Sequence, residues 1–365
     1  VKKTVVIFFL LLLSGYLSAQ KTSDSYLNRL KQKKSKFIAV PLITYAPETR
    51  WGFGFTSQYL FRFQKDSTLK PSVAGVTFLY TLNKQYIVNP NWDFFLKKNK
   101  HRITGAFVYQ RYPDSFYGIG NNTAESSREK FSSDYLLLKI RMVSHLPKNF
   151  YIGPQVRFEK VFNMKTDSAG IFEQQNVAGM EGYTAVGAGL ALILDTRDNV
   201  LFPFTGTYVV VSHHSYPKWL GTDYPVTNLN IDARYYWNFT GSHVIAFNGY
   251  GNFNFGTTPF KMMAMVGGQN IMRGYFMGRY RDNNTLVAQM EYRFPIWWRF
   301  IGVGFVAAGD VFNDVNKLTT DLMKVSGGVG LRFTVDAKER INLRFDAAWG
   351  RFHSRGFYLG ITEAF

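Results

Sequence analysis

Gly356-Phe357-Tyr358-Leu359-Gly360-Ile361-Thr362-Glu363-Ala364-Phe365 alternates apolar and polar side chains up to an aromatic last residue. Period two marks a strand with two unlike faces. The ends of soluble domains usually fray unless something ties them down. A closed sheet in a bilayer instead pairs its last strand with its first, because an open edge in hydrocarbon leaves backbone groups unsatisfied. An alternating final strand with terminal Phe365 therefore points to a bacterial outer-membrane β-barrel. It also predicts an export signal at the other end.

The other end carries one. Lys2-Lys3 form a positive cluster, Val5 to Leu13 is an unbroken apolar run, and Leu17-Ser18-Ala19 offers small residues before Gln20. This reads as a signal peptide over 1–19, cleaved after Ala19. The run is far shorter than the roughly 20 residues a spanning helix needs. Residues 20–36 carry Lys21, Arg29, Lys31, Lys33, Lys34 and Lys36 with few apolar neighbours. They read as a basic periplasmic tail, which leaves 37–365 as the barrel.

Lys and Arg number 43 against 25 Asp and Glu, a net charge of +18. The basic residues are scattered and the chain reads as exported, so no nucleic-acid partner is expected. The phosphorylated outer leaflet, lipopolysaccharide above all, is the simpler electrostatic partner. Solubility and lumen lining remain an equal reading of the same charge. No Cys is present, which excludes disulfides and thiolate metal sites. Aromatics at 17% beside 46% hydrophobic residues fit an apolar outer band with aromatic girdles around a polar interior.

From Phe37 onward period two dominates. In Thr227 to Phe239, Leu229, Ile231, Ala233, Tyr235, Trp237 and Phe239 share one face; Asn228, Asn230, Asp232, Arg234 and Asn238 share the other. Lys324 to Val335 and Arg340 to Gly350 split the same way. The strands are long, and the polar face carries charges of both signs, as a wet lumen allows. The apolar face is therefore expected to point outward. About sixteen such segments follow from the alternation: near 37–45, 50–63, 72–82, 85–97, 101–112, 133–146, 149–163, 183–195, 206–217, 226–239, 242–256, 284–295, 301–312, 323–335, 340–350 and 356–365. The expected fold is an all-β, 16-stranded antiparallel transmembrane barrel. Connections after even strands are mostly short, while those at 113–132, 164–182, 257–283 and 313–322 are long. Short periplasmic turns, long outer loops and two periplasmic termini explain that asymmetry.

The longest connection contains Gly267-Gly268-Gln269-Asn270-Ile271-Met272-Arg273-Gly274-Tyr275. Before it stand Asp195-Thr196-Arg197-Asp198 and Phe202-Pro203-Phe204-Thr205-Gly206. After it come Gln289 to Pro295, Phe305 to Phe312 and Gly327 to Phe333. In this order the segments resemble the BamA/TamA family of outer-membrane assembly barrels, the bacterial surface antigens. The resemblance is dense over 183–365 and thinner before it. In that family an outer loop with a Val-Arg-Gly-Phe/Tyr motif folds back into the lumen. The match implies that role for Arg273, Gly274 and Tyr275, and a periplasmic turn motif in Asp195, Arg197, Phe202, Pro203 and Gly206. Glu291 has lumen parity and matches the family's acidic partner. A guanidinium inside a barrel needs such a carboxylate, so Arg273 and Glu291 are expected to pair.

The sequence departs from the family at Ala307, where many members carry an Asp that also meets the loop Arg. Asp310 has the opposite parity and is not expected to replace it, so the lock must be weaker or rebuilt. The polypeptide-transport-associated domains of the family's assembly factors are expected to be lacking, because about 17 residues cannot form one.

Enzymatic readings find little. His213 and His214 are adjacent on a strand and face opposite sides. His214 or His353 beside a loop carboxylate is the remaining hydrolase candidate. No catalytic motif, cofactor or metal site is expected. The resemblance implies outer-membrane protein or lipid assembly, or translocation, through a seam between 37–45 and 356–365. The alternative is a passive pore or structural partner subunit that kept the fold without insertase activity. Implied partners are outer-membrane lipid and lipopolysaccharide, client outer-membrane proteins and a separate periplasmic arm protein.

Overall fold

The computed structural model describes residues 35–46, 50–63, 69–166, 170–314, 316, 322–351, 354–361 and 363–365. The expected signal peptide, nearly all of the 20–36 tail, and His353 lie outside them.

Among the described residues strands dominate, with four short helical turns between them. The first half holds β1 (Lys36–Ala46), β2 (Arg50–Phe61), β3 (Ser72–Thr81), β4 (Tyr86–Leu96), β5 (His101–Phe116), β6 (Glu129–Leu146), β7 (Phe150–Lys165) and β8 (Tyr183–Asp195). Then come β9 (Gly206–Tyr216), β10 (Val226–Thr240), β11 (His243–Gly256), the short β12 (Ala264–Val266) and β13 (Tyr280–Asp282), and β14 (Asn284–Trp297). β15 (Phe300–Phe312), β16 (Lys324–Asp336), β17 (Ile341–Gly350) and β18 (Arg355–Ile361) complete the order. Among the described residues, all strands but β12 and β13 form one sheet of 16, each antiparallel to the next. β12 and β13 make a separate two-stranded hairpin inside the long 257–283 connection.

The sheet is inside-out relative to a soluble domain. On β14, Leu286, Met290 and Tyr292 are exposed, while Gln289, Glu291 and Arg293 are buried. β10 exposes Tyr235 and Trp237, and β17 exposes Phe345 and Trp349 while hiding Asn342, Arg344 and Asp346. In water each such apolar side chain would forgo about 1.5–3 kcal/mol of burial. The arrangement is stable only with hydrocarbon outside and ionic partners within.

The long connection 113–132 is shorter than expected, because β5 runs on to Phe116 and β6 begins at Glu129. The two edges of the sheet curl toward each other. Lys36 at the start of β1 pairs with Asp336 at the end of β16. Arg62, just after β2, grips Glu339 between β16 and β17 at 3.1 and 3.2 Å. Among the described residues no ladder joins β1 to β18.

The last strand differs from the expectation. Alternation over 356–365 predicts a strand to the end, but β18 stops at Ile361. Ala364 and Phe365 instead turn inward and pack with Tyr236, Val244 and Ala246 at the short-turn end of the lumen. The Phe365 carbonyl accepts from Arg293 Nη2 at 3.0 Å, and Glu363 accepts from Arg332 Nε at 2.7 Å. Two buried guanidiniums thus draw in residues whose alternation alone would continue the sheet.

Candidate functional site

The 257–283 connection folds back into the interior. Phe260, Ala264, Val266 and Met272 are fully buried, and Tyr275 and Tyr280 pack with Val287, Ala307 and Val311 on the inner wall. Its hairpin, β12 with β13, pairs Ala264–Val266 against Asp282–Tyr280.

Arg273 lies at the tip, with its side chain wholly shielded from solvent. Nη2 donates to Glu291 Oε2 on β14 at 2.6 Å, and Nη1 donates to Asp346 Oδ2 on β17 at 2.6 Å. The guanidinium plane also lies over the Phe305 ring of β15, 3.5 Å from its centroid. A desolvated cation on a ring gains about 2 kcal/mol, and the planar fork suits two carboxylates at once. One side chain therefore ties strands β14, β15 and β17 to the loop.

Gly274 is required by its backbone. Its φ is +104°, and a Cβ there would lie 3.0 Å from the Trp349 carbonyl carbon and 3.2 Å from Gly350 N. Its N–H donates to Tyr358 Oη of β18 at 2.9 Å, and its carbonyl accepts from Ser354 Oγ at 2.6 Å. Tyr275 Oη donates to the Val325 carbonyl and accepts from Arg351 N, both at 2.9 Å. Burial pushes this hydroxyl above its ordinary value, so it keeps the proton it donates. The Arg-Gly-Tyr tripeptide is thus seated on β16, β17 and the last strand.

Ala307 is buried beneath the loop and offers no acceptor. Asp310 is engaged elsewhere, with Asn121 Nδ2 at 2.9 Å and Lys324 Nζ at 3.4 Å. Asp346 supplies the second carboxylate, so the lock is rebuilt from β17. Asp346 shares the polar parity of Arg344 on its strand, but nothing in the sequence alone singles it out.

The acidic pair is shared with further cations. Glu291 Oε1 accepts from Arg293 Nε at 2.8 Å, and Arg332 lies 3.7 Å from its other oxygen. Arg332 also binds both Asp346 and Glu363. The loop tip and the inward-turned C-terminal residues therefore hang on one ionic network.

The turn motif closes the same end. Arg197 binds Asp195 through Nε at 2.9 Å and Nη2 at 3.1 Å, and Asp195 also meets Lys70 at 3.0 Å. Asp198 Oδ1 accepts the Phe204 and Thr205 amides, and Asn199 Oδ1 those of Leu201 and Phe202. At Gly206, with φ +109°, a Cβ would meet the Thr196 carbonyl at 2.4 Å. Phe202 is buried, and the Pro203 carbonyl accepts from Arg293 Nη1 at 3.3 Å. Arg293 thus joins the turn, Glu291 and Phe365. His214 lines the lumen, 3.5 Å from the Gln155 amide and with its ring 5.9 Å from that of Tyr216.

The sequence profile of the Omp85 superfamily domain matches residues 45–365. The chain belongs to the Omp85 superfamily. Among solved structures it is similar to BamA from Haemophilus ducreyi lacking POTRA domains 1–3, with a TM-score of 0.53 and 13% identity over 90% of this chain and 69% of that one. CdiB from Acinetobacter baumannii gives a TM-score of 0.56 at 9% identity, covering 90% of this chain and 60% of that one. CdiB from Escherichia coli gives 0.57 at 8% identity, covering 90% and 62%. At such identities the likeness is one of fold. The chain spans about two thirds of the BamA structure and three fifths of each CdiB chain. A comparison with curated proteins found no match.

Proposed function

We propose that this chain is a 16-stranded outer-membrane barrel, with both termini periplasmic, that acts in the assembly or translocation of outer-membrane proteins. The carrying observation is the pairing of an unladdered β1/β18 edge with a lumen loop tied to that same β18 through Tyr358. An unpaired edge in lipid leaves backbone groups without partners, each costing several kcal/mol. Such an edge captures an incoming strand by β-augmentation. The Arg273 lock and the Arg293–Phe365 contact would hold the edge in its resting state. Outer-membrane lipid and lipopolysaccharide would surround the exposed aromatic face. Client barrels, and a periplasmic arm on another chain, would be its protein partners. No catalytic group is assigned.

A passive pore fits less well. The 257–283 loop fills the long-loop end of the bore, while Phe202 and Phe365 occupy the other. A structural partner subunit is the rival that a cell experiment separates. Depletion of the protein, followed by quantitative profiling of the outer membrane, is expected to lower a subset of other barrels. Unchanged levels of every other barrel would remove the assembly reading in favour of the structural one.

A further inference from the structure

Away from the seam, the lumen holds a cavity of about 570 Å³ walled by strands β4 to β7 and β9 to β11 and floored by the 257–283 loop. One wall is cationic. Lys139 of β6 stands directly across the ladder from Arg157 of β7, and Arg141 and Lys261 line the same space. Like charges directly opposed on neighbouring strands destabilise a sheet, so the placement calls for a counter-charge.

The protein supplies too little of it. Arg157 has Glu159. Among the described residues Arg141 has the neutral Gln155 Oε1 at 2.9 Å and Ser212 Oγ at 2.7 Å. Lys261 lies over the Phe131 and Tyr135 rings, 5.1 and 5.4 Å from their centroids; Asp114 and Glu159 act on it from a distance, but it makes no salt bridge among the described residues. Lys139 is exposed and lines the cavity, with neither a hydrogen bond nor an ion pair among the described residues. Asp93, the one carboxylate lining the cavity among the described residues, is held in both its oxygens by Arg102 at 2.8 and 2.7 Å.

The neighbouring wall is of another kind. Asn228, Asn230 and Asn252 on β10 and β11 present amides to the same space, beside the Tyr250 ring. Neutral amides and an aromatic face suit hydroxyl groups. The volume is in the range of small-ligand sites.

We propose that this cavity binds a soluble phosphate-bearing polyol of sugar-phosphate size. The phosphate lies between Lys139, Arg141 and Lys261, and the hydroxyls meet the asparagine wall. Phosphate and guanidinium or ammonium groups form the strong, charge-assisted class of hydrogen bond. A free solute is favoured over a lipid headgroup because neither β1 nor β18 lines the cavity. A headgroup would have to cross the lumen from the seam. The inference does not depend on assembly activity.

The test uses the full chain, purified in a neutral detergent, with thermal unfolding followed at constant ionic strength. Inorganic phosphate, glucose 6-phosphate and glucose are titrated in turn. A saturable rise in melting temperature is expected with both phosphates, at lower concentration for glucose 6-phosphate, and none with glucose. Lys139→Gln and Lys261→Gln are each expected to weaken the apparent affinity about tenfold or more. Lys148→Gln, on a short turn, should leave it unchanged. Arg141→Gln replaces either variant if that one loses its heat-dependent shift in gel mobility. A non-saturating response, or an equal loss with Lys148→Gln, would overturn the site. Equal affinity for the two phosphates would overturn the role of the asparagine wall. The lipid arm compares vesicles of phosphatidylglycerol with phosphatidylcholine. Stabilisation by the former that Lys139→Gln abolishes would overturn the soluble source.

Discussion

Glu291→Gln attacks the point where the ionic network is densest. The carboxylate accepts from Arg273 at 2.6 Å and Arg293 at 2.8 Å, and all of these side chains are at most 1% exposed. Hydrogen bonds to charged groups contribute about 1.5–3 kcal/mol each, and breaking a buried pair from one side costs about 3–5 kcal/mol. Gln keeps one acceptor oxygen, and hydration of the lumen would screen the stranded guanidiniums. The loss of loop docking is therefore about 3 kcal/mol, a change of about a hundredfold in the docked-to-released ratio. The loop reports on itself, because Lys261, Arg273, Arg279 and Arg281 are trypsin sites within it. Where opening is fast relative to cleavage, the cutting rate follows the open population. Trypsin should cut Glu291→Gln within 257–283 about a hundred times faster than the parent chain, with the rest of the barrel resistant. Asp346→Asn should act in the same sense, and the double variant should fall short of the sum. Parent-like cutting in Glu291→Gln would refute the lock.

Other expected outcomes are smaller or lie elsewhere. Gly274→Ala places a side chain at φ +104° against the Trp349 backbone; it should release the loop by at least about 1–2 kcal/mol, read by the same trypsin assay. Tyr358→Phe removes the hydroxyl that holds Gly274 N and should weaken docking by about 1 kcal/mol, without changing the gel mobility of the folded barrel. Val329→Arg puts a charge on the most exposed apolar position of β16 and should lower stability in lipid by about 2–4 kcal/mol, measured by urea titration in vesicles. Asn230→Asp on the lumen face should cost far less in the same titration.

Strand positions were legible because each inner face must be polar and each outer face apolar. β8, expected over 183–195, occupies Tyr183–Asp195. The pairing of Arg273 with Glu291 followed from parity and motif together. Asp346 was not assigned because β17 is separated from β14 by two strands; only the curl of the sheet brings its carboxylate to Arg273. The hairpin β12/β13 has three residues per strand, too few for alternation to register. The inward turn at Glu363–Phe365 depends on Arg332 and Arg293, which lie 31 and 72 residues away in sequence. No local pattern encodes that capture. The cationic cavity wall was visible only as scattered lysines and arginines until register set Lys139 opposite Arg157.

The most direct test of the seam is to weld it. The chain has no Cys, so paired cysteines can be introduced without background across positions 38–42 of β1 and 356–360 of β18. Pairs that form a disulfide in the membrane are expected to abolish the accumulation of client barrels in depleted cells, and reduction is expected to restore it. Full activity with the seam covalently closed would contradict the account.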